Sequence, residues 1–399
     1  MWLVRDSNPR RLSRLIYSQI PLAAWVTSHF GFVAANRIPD IPILGNARDC
    51  KALQFLLMVG IIEVAKHAGV STATVSRALN GKSHVSARAR EKVLKAAAEL
   101  GYVASSSAYT LATGRSKNVG VVMPFVDRWF FSAVLEGAVN ALAARGYDVT
   151  LYNLSGGDAA RKRVFEDFVL RKRVDGVLTV AVKLSEEELR RLTALQKPII
   201  GIGGPIPGAR SISIDDEGAG RLATQHLISL GHTEIGMISG TAATEMDFHQ
   251  PYLRRTGYQE ALLDANLDFH PQWIAETDFT VAGGYHAAKQ MLGDPRNAPT
   301  AIYCASDEMG FGAIQAARDL GLRVPQDISV IGMDGHPMGE FYGLSTIDQK
   351  TNQQGAKGAN MLVDILESDD ERQLKNFEQL NAWPIDLLVR SSTAKRAQD

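Results

Sequence analysis

The sequence predicts an N-terminal all-α helix-turn-helix headpiece followed by an α/β body of two doubly wound lobes. Three observations support this prediction. A chain of 399 residues is too long for one compact core. Two short amphipathic segments flank a glycine turn between residues 61 and 79. From residue 118 onward, strand-like apolar runs alternate with amphipathic helical segments, as in parallel α/β sheets.

The charge of the chain is unevenly distributed. Its formal net charge is zero, from 43 basic and 43 acidic residues, which by itself argues against a nucleic-acid partner. Residues 1–57, however, carry a net charge of +4, residues 58–117 carry +6 and residues 118–399 carry −10. A basic segment joined to an acidic body is typical of a nucleic-acid-binding module on a ligand-binding or oligomerising body. Charge alone allows equally well a basic surface that is merely solvated.

The first 57 residues are expected to be an extension outside the folded protein. Prolines interrupt them, and the apolar run at 20–35 is shorter than the roughly 20 apolar residues of a membrane-spanning helix. Arg10-Arg11 precedes that run too loosely for a twin-arginine signal. Met58 directly precedes the first patterned segment, so we expect 1–57 to be disordered or an over-long start. The two cysteines can form neither a disulfide framework nor a metal site, which favours a reducing cytoplasm. We expect no membrane partner.

The segment 58–103 has the pattern of a helix-turn-helix domain. Residues 61–68 place apolar side chains on one helical face, and Gly69 can end that helix with a positive φ. Ser71 can cap a second helix at 72–79, and Ser86 a third. The second helix of such a unit enters the major groove of DNA. Two short helices of small residues can also be a simple packing hairpin, so the pattern leaves both interpretations open.

A resemblance favours the first interpretation. Val64-Ala65, Ala68–Ser71, Ala73–Asn80, Val85-Ser86 and Glu99–Tyr102 resemble the headpiece of the LacI/GalR family of bacterial transcription regulators. The family usually has Thr where this chain has Gly60.

The resemblance also implies DNA-contacting residues. It places three side chains at base-reading positions: Thr72, Ala73 and Arg77. It places four more where they contact phosphates or position the helix: Ser71, Thr74, Asn80 and Ser86. An arginine can donate two hydrogen bonds to guanine, whereas an alanine offers only a methyl contact. We therefore expect Arg77 to carry more of the base specificity than Ala73.

Residues 104–117 are expected to be a hinge. The stretch is small, polar and too short for a helix that is stable alone in water, and as a plain linker it would need no explanation. The resemblance implies a hinge helix at 106–111 that forms on DNA, with Ala108 facing the dimer mate and Leu111 wedged into a minor-groove step. Ala104-Ser105 replace the usual Pro-Asn pair of the family.

The body, 118–399, is expected to be periplasmic-binding-protein-like. Its predicted strands are 119–123, 148–154, 174–180, 198–202, 234–239, 301–304 and 328–333. Its predicted helices lie near 130–144, 158–171, 185–195, 217–230, 252–265, 282–292 and 308–320. Two such series imply two lobes, with a ligand at the carboxyl ends of the strands. By resemblance, residues 387–393 form the closing strand.

The effector site is expected in the loops that follow those strands. Residues 127–131 offer a carboxylate, a guanidinium and aromatic faces, which suit a hydroxylated ring. Together with the resemblance, they suggest the effector-binding residues Asp127, Trp129, Phe130, Arg254, Ser306, Asp334 and Gln349. Phe130 is equally expected in a core, and Asp307 is interpreted as a helix cap. Trp129 and Ser306 replace the Pro and Asn that are commoner in the family, which leaves the ligand's identity open.

These observations predict a DNA-binding transcription regulator, in particular a repressor whose operator affinity is controlled by a small molecule. The sequence has no Walker A loop, no His-Glu-x-x-His motif and no Gly-x-Ser-x-Gly motif, so we expect no catalytic residues, cofactor or metal. The expected partners are operator DNA, a carbohydrate effector and a second copy of the chain, as a homodimer or a dimer of dimers. The alternatives are a sugar-binding transport receptor and a co-repressor regulator that responds to a purine or a phosphorylated sugar.

Overall fold

We describe the fold from a computed structural model. The described residues are 60–79, 85–102, 114–155, 157–171, 174–194, 196–241, 250–368, 379–380 and 382–396. The chain divides into two units, Met1–Ala104 and Ser105–Asp399, which contain the headpiece and the body, respectively. The predicted extension 1–57 and the predicted DNA contacts Asn80, Ala108 and Leu111 lie outside the described residues.

The described part of the headpiece consists of three helices around a small apolar core. They are α1 (Ile61–Ala68), α2 (Thr72–Leu79) and α3 (Ala87–Glu99). Val64, Val75 and Val93 are fully buried, one from each helix. Gly69 has a φ of 66° and ends α1, as the sequence predicts. Gly60 begins α1 without a side-chain cap, and the carboxylate of Glu63 instead accepts the Gly60 amide at 3.0 Å.

The described body contains two six-stranded sheets, one in each lobe. The first lobe has β1 (Asn118–Met123), β2 (Asp148–Asn153), β3 (Gly176–Val180), β4 (Ile199–Ile202), β5 (Arg210–Ile212) and β11 (Gln379–Leu380), in the order β11-β5-β4-β3-β1-β2. The second lobe has β6 (Ile235–Gly240), β7 (Ile274–Thr277), β8 (Ala301–Cys304), β9 (Ser329–Asp334), β10 (Ser345–Asp348) and β12 (Asp386–Leu388), in the order β12-β10-β9-β8-β6-β7. All pairings are parallel except that of β12 with β10.

Helices cover the sheets of both lobes. Those of the first lobe are α4 (Trp129–Ala144), α5 (Gly157–Arg171), α6 (Glu186–Ala194) and α12 (Thr351–Glu367). Those of the second lobe are α7 (Asp216–Ser229), α8 (Gln250–Asp264), α9 (Val281–Met291), α10 (Asp307–Asp319) and the short α11 (Gly339–Tyr342). A helix-turn-helix headpiece and an α/β body of two doubly wound lobes are therefore confirmed.

Most predicted elements lie within two residues of those observed, but several observed elements went unpredicted. The sequence analysis missed β5, β7 and β10, which have only three or four residues each, and α12. The predicted closing strand at 387–393 is instead the shorter β12. Beyond β12, a side chain joins the chain to β10: the Ser392 hydroxyl accepts a hydrogen bond from the Ser345 amide at 2.8 Å.

A glycine crossing places α7 directly against α8. A Cβ at Gly220 of α7 would collide with the carbonyl oxygen of Arg254, and a Cβ at Gly257 of α8 would collide with the carbonyl oxygen of Glu217. The two helix backbones therefore touch where each lacks a side chain. This close approach brings the start of α7 to Arg254, which lines the cleft described below.

Candidate functional site

The exposed face of α2 carries the predicted base-reading residues. The Ser71 hydroxyl accepts the Thr74 amide at 3.1 Å and thereby caps α2, as predicted. Thr72, Ala73 and Arg77 are exposed, whereas Val75 is buried in the headpiece core. The helical period thus directs the three side chains to solvent and turns the apolar ones inward. Their contact with bases remains a prediction.

Two further contacts fix the helices that support α2. The Ser86 hydroxyl accepts the Ala89 amide at 3.3 Å, so Ser86 caps α3 as the sequence predicts. His67 of α1 and Glu99 of α3 are joined by a hydrogen bond of 2.8 Å between exposed side chains. The phosphate contacts of Ser71, Thr74 and Ser86 remain predictions.

The body has a cleft between its two lobes. Its wall in the first lobe is formed by Pro124, Phe125, Arg128, Phe130, Phe131 and Ala181, and its wall in the second lobe by Gln250, Arg254, Asp278, Phe279, Ser306, Glu308 and Asp334. Most of these residues follow the carboxyl end of a strand, where open α/β sheets place their ligands. Four phenylalanines provide apolar faces, and the charged and hydroxyl groups provide directional contacts.

Arg254 is a buried lining residue that is already paired. Its Nε donates to Asp216 Oδ1 at 2.8 Å, and its Nη1 donates to the carbonyl oxygen of Ala305 at 2.6 Å. Burial by itself lowers the pKa of Arg254, but the nearby carboxylate of Asp216 outweighs it, so the pKa is raised and the guanidinium stays charged. Because Asp216 neutralises this charge, Arg254 presents directed N–H donors to the cleft rather than net positive charge.

Asp334 and Gln349 act as a pair, but only Asp334 lines the cleft. The Gln349 Nε2 donates to Asp334 Oδ1 at 2.6 Å, and both side chains are buried. Burial, and then the charge of Asp307, raise the pKa of Asp334. Gln349, predicted to bind the effector, lies behind the wall and orients the carboxyl group that faces the cavity.

Ser306 lines the cleft and also caps α10. Its hydroxyl accepts the Met309 amide at 3.3 Å. The interpretation of Asp307 as the helix cap is therefore wrong, because Asp307 is the first residue of the helix. The carboxylate of Asp307 instead accepts the His336 amide at 2.7 Å, and its burial raises its pKa to about 7.

The loop after β1 contributes differently from what the sequence suggests. Phe130 lines the cavity, as predicted, and has an edge-to-face contact with Phe131 at 5.2 Å between ring centroids. Asp127 is exposed and is not part of the lining. Trp129 is not part of it either, since its ring lies against His336 of the other lobe.

Sequence reasoning also missed several lining residues. Arg128, Phe131 and Glu308 adjoin predicted residues and were not included. Asp278 and Phe279 follow β7, and recognising that short strand would have marked them as a loop at a carboxyl end. Among the described residues, the lining then has three carboxyl groups and two cations, and one of these cations, Arg254, is paired with Asp216.

The described part of the chain has neither a candidate membrane span nor a candidate metal site. No helix there is both long and apolar enough to cross a membrane. No group of three or more His, Cys, Asp or Glu side chains in the same residues is arranged to hold a metal ion.

Comparisons with known proteins cover both units. Residues 60–105 match the family described as bacterial regulatory proteins, lacI family, and residues 224–393 match the periplasmic binding protein-like domain. The HTH-type transcriptional repressor PurR of Aliivibrio fischeri is 34% identical over 346 residues, which are 85% of this chain and 99% of that protein. The lac repressor dimer bound to operator and the anti-inducer ONPF is 28% identical, with a TM-score of 0.73 over 84% of this chain and 99% of that one. The transcriptional regulator CelR–cellobiose complex is 29% identical, with a TM-score of 0.61 and the same coverage.

Proposed function

This chain belongs to the LacI family of bacterial transcription regulators, and we propose that α2 of its headpiece reads the operator while the cleft of its body binds the effector. The protein is a DNA-binding repressor whose partners are operator DNA, a small-molecule effector and a second copy of the chain. The proposal assigns base reading to Thr72, Ala73 and Arg77. It assigns effector binding to the lining residues of the cleft, foremost Phe130, Arg254, Ser306 and Asp334.

The observation that carries the operator assignment is the orientation of α2. Its outward face presents a hydroxyl, a methyl and a guanidinium, which can contact base edges in the major groove. The headpiece segment carries the positive charge that attracts phosphates, and the acidic body does not. The two copies of a dimer would present two such helices to a near-palindromic site.

The observation that carries the effector assignment is the chemistry of the cleft wall. Apolar rings can cover the faces of a bound ring, while Arg254, Ser306 and Asp334 can bond its hydroxyl groups. Among the described residues of the wall, the carboxyl groups outnumber the cations that have no carboxylate partner, which disfavours a phosphorylated ligand. We therefore propose an uncharged carbohydrate, and the similarity to a regulator described as a cellobiose complex supports this class.

The proposed mechanism is a linkage between cleft and operator. An effector that binds one arrangement of the lobes more tightly shifts the population toward it. If that arrangement also sets the spacing of the two headpieces, effector and operator affect each other's affinity by the same factor. We propose that the protein does this in the cytoplasm and without an enzymatic activity of its own.

The operator assignment is tested by DNase footprinting of the full chain on the DNA upstream of its own gene. We expect one protected, near-palindromic site that is lost when salt is raised, because phosphate contacts release counterions. Uniform binding without a protected site would contradict sequence-specific reading.

The effector assignment is tested by a thermal-shift screen of the full chain with neutral sugars, sugar phosphates and purines. A ligand of the native state raises the apparent Tm with its concentration, and we expect this from a neutral sugar. Asp334→Asn should weaken the binding of that sugar by about tenfold, because the amide NH₂ cannot accept a hydrogen bond where a carboxyl oxygen can. Asp264→Asn, at an exposed residue paired with Arg221, is the matched control. A shift only with sugar phosphates or purines would overturn the ligand class and leave the operator assignment standing.

A further inference from the structure

Two helices of the first lobe, α4 and α12, begin at the cleft. Phe130 and Phe131, in the first turn of α4, line the cavity. The start of α12 is joined to the cleft wall through Gln349, whose side chain donates to Asp334 Oδ1 at 2.6 Å and whose carbonyl oxygen accepts from the Gln354 side chain at 2.8 Å. Helices of 16 and 17 residues are each about 25 Å long. Both helices can therefore carry a displacement of the cleft wall to a distant part of the lobe.

The two helices pack backbone to backbone. A Cβ at Gly137 of α4 would collide with the carbonyl oxygen of Asn352, and a Cβ at Gly355 of α12 would collide with the carbonyl oxygen of Val134. Backbone atoms in direct contact cannot turn aside as a side chain can, and a close-packed interior transmits strain. We therefore expect α4 and α12 to move together.

The far ends of both helices meet the last residue of the predicted hinge at one carboxylate. Glu367, the last residue of α12, accepts a hydrogen bond from Lys117 Nζ at 3.2 Å through Oε1 and one from Arg145 Nη2 at 2.7 Å through Oε2. Arg145 is the C-cap residue of α4. The hydrogen bond from Arg145, and with it the one from Lys117, lowers the pKa of Glu367. The carboxylate is therefore charged at neutral pH and joins α4, α12 and the hinge.

The first lobe also holds the backbone at the end of the hinge. The Lys117 amide donates to Asp175 Oδ2 at 2.7 Å, and the Ser116 amide donates to Asp175 Oδ1 at 2.8 Å. Asp175 is buried, and the Lys117 ammonium lies 4.0 Å from the centroid of the Tyr147 ring. Asp175 thus fixes the backbone of the hinge end, whereas Glu367 connects its side chain to the helix pair.

We propose that Glu367 is a positioning residue that transmits a change at the cleft wall, through α4 and α12, to the hinge. The inference rests on the proposed function, since it needs a cleft that binds an effector and a hinge that leads to a DNA-reading headpiece. Lys117 follows the position of the cleft wall only while Glu367 connects it to the two helices. A linkage of this kind is demonstrated by coupling between the two sites, and the coupling must act in both directions. Operator binding should therefore be detectable at the cleft ends of α4 and α12.

The test is hydrogen–deuterium exchange of the full chain with the operator duplex that footprinting identifies, and with a duplex of shuffled sequence as the reference. Operator binding should slow amide exchange in the headpiece. It should also slow exchange in the cleft halves of the two helices, in peptides that cover residues 132–138 and 353–358, because it narrows the range of arrangements that the helices adopt. The headpiece peptides report operator binding itself, and no effector is needed.

Variants on both sides of the contact give the expected result. Glu367→Ala should keep the slowing in the headpiece and lose that in the cleft halves. Glu367→Gln should lose only part of it, because the amide oxygen still accepts one hydrogen bond. Lys117→Met removes the ammonium, keeps the apolar stem and should act like Glu367→Ala, so it serves if that variant does not fold. The double variant should lose no more than either single one, as expected for two partners in one interaction.

A control separates this linkage from a loss of structure at the end of α12. Asp364 lies on the same helix and pairs with Arg145 at 3.1 Å, so Asp364→Ala removes a carboxylate from the cluster and leaves the contact between Lys117 and Glu367. This variant should retain the slowing in the cleft halves. Simple fraying of α12 would speed exchange equally with the operator duplex and with the shuffled one.

Three outcomes would overturn the inference alone. They are slowing in the cleft halves that persists in folded Glu367→Ala and Lys117→Met, an equal loss in Asp364→Ala, and no slowing there in the wild type although its headpiece is protected. An unprotected headpiece would overturn the operator assignment and the inference with it.

Discussion

Two arginines that the sequence singles out have opposite surroundings in the structure. Arg77 is exposed on α2, where its guanidinium can reach a base edge. Arg254 is buried, and two of its donors are already bonded to Asp216 and to the carbonyl oxygen of Ala305. The helical period of a short amphipathic segment predicts the first situation. The second depends on Asp216, which lies 38 positions away along the chain, and no local pattern contains that information.

Arg77→Ala should relax base specificity while leaving general DNA affinity largely intact. A bidentate contact to guanine discriminates against the wrong base by about 1–3 kcal/mol, so the affinity ratio between operator and a single-base variant should fall by about fivefold or more. Competition binding by fluorescence anisotropy at fixed salt measures this ratio. Lys95→Ala, at an exposed cation of α3, is the control and should leave the ratio unchanged. If Arg77→Ala keeps the wild-type ratio, α2 is not the base-reading helix.

Asp307 should make stability depend on pH between about 4 and 7. Burial raises the pKa of this carboxyl from an ordinary 3.8 to about 7, so the folded state keeps a proton that the unfolded chain has lost. Its contribution to the free energy of unfolding is full below pH 4 and is lost as pH rises to 7. Asp307→Asn has no carboxyl group to titrate at this position. As pH rises from 4 to 7, its free energy of unfolding, measured with urea, should therefore increase relative to that of the wild type.

A second aspartate provides the control for this pH dependence. Hydrogen bonds from Arg323 lower the pKa of the exposed Asp327 to about 2, so its contribution is lost only as pH falls below about 4. Asp327→Asn should therefore run parallel to wild type from pH 5 to 8. If the free energy of unfolding of Asp307→Asn also ran parallel to that of the wild type, Asp307 would be ionised in the folded protein throughout this range.

Among the elements, most long helices and buried strands were predictable, whereas the 17-residue α12 and the short strands β5, β7 and β10 were not. The helices α4, α7 and α10 have enough turns for a period to show, and β1 is a continuous apolar run. By contrast, β7 has four residues, of which none is buried, so it lacks the apolar signal of a core strand. Missing it meant missing Asp278 and Phe279 in the cleft wall. The prediction of Phe130, Ser306 and Asp334 succeeded in placing them at the cleft because each follows a recognisable strand.

Gly257→Ala should damage the cleft through the packing of α7 against α8. The added Cβ would collide with the carbonyl oxygen of Glu217, which is backbone and cannot turn aside. The helices must move apart, and the Asp216–Arg254 ion pair between them must stretch. We expect a loss of about 1–3 kcal/mol in the free energy of unfolding, as for other overpacked cores, together with weaker effector binding. Urea unfolding and a thermal-shift titration with the identified sugar measure the two effects.

The control for this crossing lies on the same helix. Leu263 of α8 is 73% exposed, so Leu263→Ala removes a side chain without touching the contact with α7. It should change stability by less than about 0.5 kcal/mol, as is usual for surface substitutions. Unimpaired stability in Gly257→Ala would mean that the two helices can separate at little cost.

At the scale of the whole molecule, the separation of charge matches the separation of tasks. The segment that contains the headpiece is basic, and residues 118–399 carry a net charge of −10. An acidic body is repelled by phosphate, so the headpiece is the surface that DNA attracts. A total near zero conceals this division, and only the local sums predict it. The geometry of the dimer was beyond such reasoning, because it depends on which exposed apolar side chains the fold brings to one place.

Phe341→Ser should weaken the dimer. Phe341 of α11 is 82% exposed and its neighbour Met338 is 43% exposed. Together they form an apolar patch in the second lobe, and its exposure to water is unfavourable. A second copy that buries this patch would gain about 25 cal/mol per Å² of apolar area. We therefore expect a larger dissociation constant in sedimentation velocity over a concentration series. Operator affinity should fall with it, because one headpiece makes half the contacts of two. Leu263→Ser removes an exposed apolar side chain of α8 and should leave the dimer intact. If Leu263→Ser weakened the dimer and Phe341→Ser did not, the interface would involve α8 instead.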